Sequence, residues 1–202
     1  MTHLHADFYA RDTLTVAREL VGRYLLRRLN GAELVCRITE TEAYIGAVDK
    51  ACHAYGGRRT SRTKTLYAAP GTSYVYLIYG MYCCLNLVTE AQGTAAAVLI
   101  RGAVPVCGID EIACNRFGVK AGDMTAYQRK NFLNGPGKLC KGLGITRAQN
   151  GLDVENNELV VCTDMPELGL AAVTPEICVG KRIGIDYAQE AVDFPWRFYE
   201  PV

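Results

Sequence analysis

The period of hydrophobic positions changes several times along the chain, and each change predicts an element. Val16, Ala17, Leu20 and Val21 recur at the spacing of a helix face, with Asp12 placed to cap that helix and Gly22 to end it in a left-handed conformation. Alternation with period two then takes over. The runs RYLLRRL and AELVCRITETEAY flank Asn30-Gly31, a dipeptide that accepts the positive φ angles of a two-residue turn, and predict a β-hairpin. In its second strand Leu34, Cys36 and Ile38 alternate with Val35, Arg37 and Thr39; the same alternation, continued, puts Glu40, Glu42 and Tyr44 on one face. Residues 46–66, rich in Gly, Thr and Arg, have no apolar period and predict an ordered loop longer than a plain connector. SYVYLIY and YCCLNLV, meeting at Gly80-Met81, and AAAVLIR, ending at Arg101, predict a three-stranded antiparallel unit. Helices are expected near 107–117, 125–133 and 138–143, the last opened by Gly135-Pro136, and strands near 158–163 and 177–185. The pattern is α+β.

Composition narrows the class. Half of the 202 residues are apolar, which excludes disorder, and no repeat, low-complexity tract or linker divides the chain, so one domain over residues 1–202 is expected. Lys and Arg number 22 against 21 Asp and Glu; a net charge of +1 excludes a polybasic protein that grips nucleic acid by bulk charge. No apolar run approaches the roughly 20 residues of a membrane span. Met1 to Ala10 carries His3, His5 and Asp7 where a secretion signal needs an apolar stretch, so a soluble, non-exported protein with a mobile N-terminus is expected. Nine cysteines without a Cys-x-x-Cys pair, and only three histidines, predict reduced core thiols rather than a metal or redox centre.

Charge is segregated along the chain. From Lys50 to Thr89 five cations (Lys50, Arg58, Arg59, Arg62, Lys64) stand without one acid, whereas Ala148 to Gly180 holds six acids and no Lys or Arg. The basic stretch also carries Tyr55, Tyr67, Tyr74, Tyr76, Tyr79 and Tyr82, half of the chain's 12 tyrosines. Cations that neutralise phosphate beside rings that stack on bases point to nucleic acid with exposed or extruded bases, although tyrosine-rich strands under a solvated loop would read the same way. Glu40 and Glu42 stand about 7 Å apart on an extended strand, a spacing that suits paired acid and base work; the alternative is surface pairing with Arg37 or Arg59. His53 lies in the basic loop, where its ring could meet the edge of a purine or serve only as a structural hydrogen-bonder.

Several segments converge on a family. ETEAY at 40–44, the following ACHAYGGRRT at 51–60, PGTSYVYLIYGMYCCLN at 70–86, LIRG at 99–102, NGPGKLC at 134–140 and WRFY at 196–199 together resemble the alkyladenine (3-methyladenine) DNA glycosylases of the mammalian type, from about Phe8 to Tyr199 and in the family's order. The resemblance implies a single domain with a curved, mainly antiparallel sheet, a protruding β-hairpin and surrounding helices. It implies a monofunctional, cofactor-free enzyme without a metal. Its partner would be duplex DNA carrying alkylated or deaminated purines such as 3-methyladenine, 7-methylguanine, hypoxanthine or ethenoadenine, each flipped out and its N-glycosidic bond hydrolysed. Residue by residue, Glu42 matches the general base and Arg101 an active-site arginine near the attacking water. Tyr44, His53 and Tyr76 match the groups that sandwich the base, and Asn86 one that excludes guanine. Tyr79 matches the wedge that fills the vacated place, Met81 two residues on is expected to touch DNA, and Arg58, Arg59, Arg62 and Lys64 are the expected phosphate contacts. A monomer in the cytoplasm, on the nucleoid or in a eukaryotic nucleus, is expected. The competing expectation is a non-catalytic binder of damaged or single-stranded DNA; a sugar hydrolase built on Glu40 and Glu42 would want more stacking tryptophan than Trp196 alone.

Overall fold

The computed structural model describes residues 1–201. In chain order they form β1 (Thr2–His3), α1 (Ala6–Tyr9), α2 (Thr13–Leu20), β2 (Tyr24–Leu29) and β3 (Ala32–Ile45), then β4 (Ser73–Ile78), β5 (Tyr82–Val88) and β6 (Ala96–Cys107). Helices α3 (Ile109–Phe117), α4 (Ala126–Lys130) and α5 (Pro136–Gly142) follow, then β7 (Leu159–Asp164), β8 (Cys178–Gly180) and β9 (Arg197–Tyr199). One domain results, built on an antiparallel sheet in the order β1-β7-β2-β3-β6-β5-β4. Strand β3 is 14 residues long, enough to serve two partners along one edge: β2 pairs with residues up to Arg37, and β9 takes over from Glu40 to Glu42. The outer edge of β4 is covered rather than left open, since Ser73 and Val75 bond to Leu152 and Asn150.

Local chemistry accounts for the element ends. Asp12 accepts the Thr15 N–H at 2.9 Å and opens α2. Gly22 follows its end at φ +90°, where a Cβ would stand 2.8 Å from Pro175 Cδ, so both conformation and space require glycine. Asn30 and Gly31 adopt φ of 50° and 82° and close the β2–β3 hairpin as expected. Helix α2 lays Val16, Ala17 and Leu20 on the sheet against Leu34, Cys36, Ile38, Leu85, Leu87 and Ile100, and α3 and α5 extend the same core with Ile112, Leu139 and Cys140. Each fully buried Leu or Ile here contributes about 1.5–3 kcal/mol relative to exposure.

Four expectations are corrected. The N-terminus is tied down: β1 pairs with β7, the Met1 ammonium sits 2.9 Å from Glu167, and His3 Nδ1 meets the Glu155 carbonyl. The β4–β5 turn centres on Tyr79-Gly80 rather than Gly80-Met81, because both adopt positive φ (52° and 71°) and Met81 N–H bonds back to Ile78 O. The helix expected over 125–133 is only Ala126–Lys130, opened by a Thr125–Gln128 capping box. The strand expected over 177–185 stops at Gly180, because Arg182 is drawn away into a buried ion pair with Asp49.

Candidate active site

One face of the sheet is a side-chain grid. Ladder register aligns Tyr74 on β4, Asn86 on β5, Leu99 on β6 and Glu42 on β3 in a single row, and the flanking positions two residues away add Tyr76, Cys84, Arg101 and Tyr44. All eight line one cleft of about 850 Å³. Their strand neighbours Val75, Leu85, Leu87, Val98, Ile100 and Ala43 point the other way, into the core.

This face exists because alternation fails in the middle of two strands at once. Core-facing positions on β3 run Leu34, Cys36, Ile38 and then Ala43, with buried Thr41 between; on β6 they run Val98, Ile100 and then Ala103. Ladder irregularities around Glu40 and Gly102 insert the extra step on both strands, so overall register is kept while the faces exchange. Simple alternation would have carried Glu42 and Tyr44 to the side of Cys36 and Ile38; the paired bulges turn them to the cleft instead. Gly102 belongs to this device, since a Cβ there would lie 3.2 Å from Glu40 Cβ.

Glu42 is fully buried. Its Oε1 accepts the Ile183 N–H at 2.9 Å, its Oε2 accepts the Tyr44 hydroxyl at 2.8 Å, and Arg101 Nε lies 3.4 Å from Oε1 as an ion-pair contact. Burial pushes the carboxyl above its ordinary range, with Arg101, the Ile183 N–H and the Tyr44 hydroxyl opposing. Two of its roughly four acceptor positions are occupied, which leaves capacity for a water. Glu40 converges on the same guanidinium, 3.0 Å from Arg101 Nε, and takes Arg197 Nη1 at 2.9 Å. Neither proposed surface partner holds it: Arg37 pairs with Glu200, and Arg59 stacks over Tyr67 at 3.9 Å.

Across the cleft, His53 Nε2 lies 3.2 Å from Arg62 Nη2 and Nδ1 lies 3.0 Å from the Tyr74 hydroxyl. Arginine has no acceptor, so Nε2 carries the lone pair and Nδ1–H donates to Tyr74. Burial first, and Arg62 second, lower the His53 pKa to about 4, so the ring is neutral at physiological pH. His53 and Tyr76 meet edge to face, with centroids 4.6 Å apart at 79°. A base between parallel rings needs roughly 7 Å, twice the ~3.4 Å stacking repeat, so these two rings form one L-shaped wall rather than a slot. Asn86 is buried and donates its amide to Tyr74 O at 3.1 Å. At the tip of the β4–β5 hairpin Tyr79 and Met81 are 82% and 69% exposed, and Tyr79 reaches the cleft. Arg58, Arg59, Arg62 and Lys64 are all exposed on the loop that carries His53.

A family model described as methylpurine-DNA glycosylase matches residues 7–201. The chain belongs to this family. It is accordingly a DNA glycosylase, an alkylation-repair hydrolase of N-glycosyl bonds. A protein of Clostridium perfringens is 54% identical over 196 residues, covering 97% of this chain and 94% of its own. Proteins of Bacillus cereus (49%, 96% and 93% covered) and Alkaliphilus oremlandii (48%, 97% and 94%) are also similar, and all three are provisionally named 3-methyladenine DNA glycosylases. These relatives are bacterial, so the match supports the family as a whole rather than its mammalian branch.

The glycosylase cleft also contains groups that sequence reasoning missed. The Ile183 N–H is a backbone donor and carries no residue-type signal. Tyr74 entered the sequence reading only as one of six tyrosines in the basic stretch, although it shares the period-two face of Tyr76 and so was detectable as a cleft residue. Lys138 comes from the NGPGKLC segment on α5, where its ammonium bonds Asn131 and Asn134 at 2.9 and 2.8 Å. Among the described residues no three His, Cys, Asp or Glu side chains are placed to share a metal ion.

Proposed function

We propose that the enzyme rotates alkylated purines, 3-methyladenine and 7-methylguanine first among them, out of duplex DNA into this cleft and hydrolyses the glycosidic bond with a water activated by Glu42. The buried, raised carboxyl of Glu42 carries the reading: a carboxylate short of solvation takes a proton from water readily and stabilises a cationic sugar beside it. Arg101 holds the water and keeps Glu42 ionised. The damaged base stacks against the His53–Tyr76 wall with Tyr44 on its other side, Asn86 obstructs the exocyclic amine of guanine, and Tyr79 with Met81 fills the gap left in the duplex. Because 3-methyladenine and 7-methylguanine are already cationic within DNA, each takes the electrons of the breaking bond and departs as a neutral base with little acid assistance; hypoxanthine and ethenoadenine, neutral in DNA, need a proton to leave as easily. Water is the nucleophile and the enzyme is monofunctional, since Lys138, the cleft lysine, is anchored by two asparagines.

The test is incubation with duplexes carrying one 7-methylguanine, hypoxanthine or ethenoadenine, followed by alkali to cleave at abasic sites, with borohydride added in a parallel reaction. Strand cleavage only after alkali, fastest for 7-methylguanine, is the expected result. Binding without cleavage would return the protein to the non-catalytic reading, and a borohydride-trapped adduct would make it a lyase.

A further inference from the structure

Beneath Tyr44 lies an ion pair that the chemistry above does not use. Asp49 and Arg182 are both completely buried, with Arg182 Nη1 at 2.6 Å and Nη2 at 2.8 Å from the two carboxylate oxygens. The same guanidinium donates to the Ala43 carbonyl at 2.9 Å and the Ala191 carbonyl at 3.2 Å. Its flat faces meet the rings of Tyr44 and Trp196, at 4.7 and 5.0 Å. Arg182 Nε has no partner at all. Two apolar residues would fill this space without stripping two charges of water, so net stability is a poor explanation for the pair. What an arginine fork supplies and an apolar pair does not is direction.

The direction leads to Glu42. Ala43, whose carbonyl the fork grips, lies between Glu42 and Tyr44, and Tyr44 is the ring against the guanidinium face and the donor to Glu42 Oε2. On the other chain segment, Arg182 immediately precedes Ile183, whose N–H is the donor to Glu42 Oε1. One side chain therefore immobilises the sources of both hydrogen bonds that Glu42 accepts. We infer that Arg182, locked by Asp49, is a positioning residue for base excision that fixes the direction and basicity of the Glu42 carboxylate without touching substrate. The inference rests on Glu42 being the general base. The other groups facing Glu42 are Arg101 and Cys84 from β6 and β5, Glu40 from its own strand, and Arg197 opposite it on β9. None of these is held by Arg182, so its replacement isolates the two donors.

The experiment uses Arg182→Lys, which keeps a cation for Asp49 but loses the second arm of the fork and the flat face. Single-turnover excision is measured against pH, together with affinity for a duplex containing an abasic-site analogue and a thermal melt. Freed from two donors that favour its ionised form, Glu42 should protonate more easily, so the acid limb of the rate profile moves to higher pH. The rate at neutrality falls about tenfold through misdirection of the carboxylate, with analogue affinity kept. If Arg182→Lys does not fold, Asp49→Asn combined with Arg182→Gln leaves no lone buried charge and takes the same measurements. A folded variant whose acid limb stays at the wild-type position overturns the proposal, whatever its melting temperature. Glu42→Gln is run alongside: full activity there removes the general base itself, whereas an inactive Glu42→Gln beside an unmoved Arg182→Lys limb removes only the positioning role.

Discussion

Two carboxylates share one arginine, and their environments separate their roles. Glu42 has no exposure and two donors of its own, while Glu40 is divided between Arg101 and Arg197 at the edge of the cleft. Glu42→Gln should lower single-turnover excision by at least about 100-fold with abasic-analogue affinity retained, whereas Glu40→Gln keeps substantial activity; equal, severe losses would point to a two-carboxylate mechanism. The raised Glu42 pKa also sets the pH dependence. With Glu42 as the proposed base, active when ionised, activity should fall as pH drops through a value above the ordinary carboxylate range, and a rate profile measures where. The same shift means that the folded state disfavours the charge, which costs stability above the unfolded pKa. Glu42→Gln should therefore melt higher than wild type at neutral pH, the usual exchange between stability and activity. For His53 the folded pKa of about 4 lies below the unfolded 6.5: the unfolded chain takes its proton first, and stability declines as pH falls across that window. Asn86→Ser should raise excision of 7-methylguanine relative to hypoxanthine, read as a ratio of rates, because only guanine bears the exocyclic amine that Asn86 would meet.

The β4–β5 hairpin carries a local cost at its tip, which its proposed role as a wedge would explain. Tyr79 adopts φ of 52°, a conformation unfavourable for a side chain with a Cβ, and is left almost fully in solvent. Tyr79→Ala should weaken fluorescence-reported base extrusion by roughly tenfold while leaving the fold intact, and unchanged extrusion would remove the wedge assignment. Much of this element level was legible in the sequence. Asn30-Gly31, Asp12 and the tyrosine-bearing strands announce themselves through local chemistry that tertiary packing leaves alone. The orientation of Glu42 and Tyr44 was not legible in the same way. It depends on extra residues in β3 and β6 that cancel in register, and alternation along either strand alone carries no sign of the other's irregularity. Nor does any residue type reveal the Ile183 N–H, or the departure of residues 181–185 from the sheet that brings it to Glu42.

For the whole molecule, a net charge of +1 conceals a basic rim around the cleft, where Arg62 and Tyr79 both stand at its lining and Arg58, Arg59 and Lys64 continue the positive loop. Binding to undamaged duplex should follow this rim rather than the total charge. Changing Arg58 or Arg59 to Ala is expected to weaken affinity for every sequence alike and to reduce the slope of log affinity against log salt by about 1 for each phosphate no longer neutralised. Titrations at several salt concentrations measure it, and an unchanged slope would mean the loop does not touch phosphate. The matched bulges in β3 and β6 bear on how such a protein tolerates change. Deleting one residue beside Glu40, or one beside Gly102, would not merely shorten a strand. On β3 it would send every later side chain to the opposite side, burying a carboxylate and a tyrosine among leucines and turning Ala43 toward the cleft; on β6 it would turn Ala103 and the residues after it the same way. Removing one residue from both strands together would restore the ladder but abolish the exchange of faces, so this enzyme is held to the length of both central strands at once, each extra residue being needed by the other.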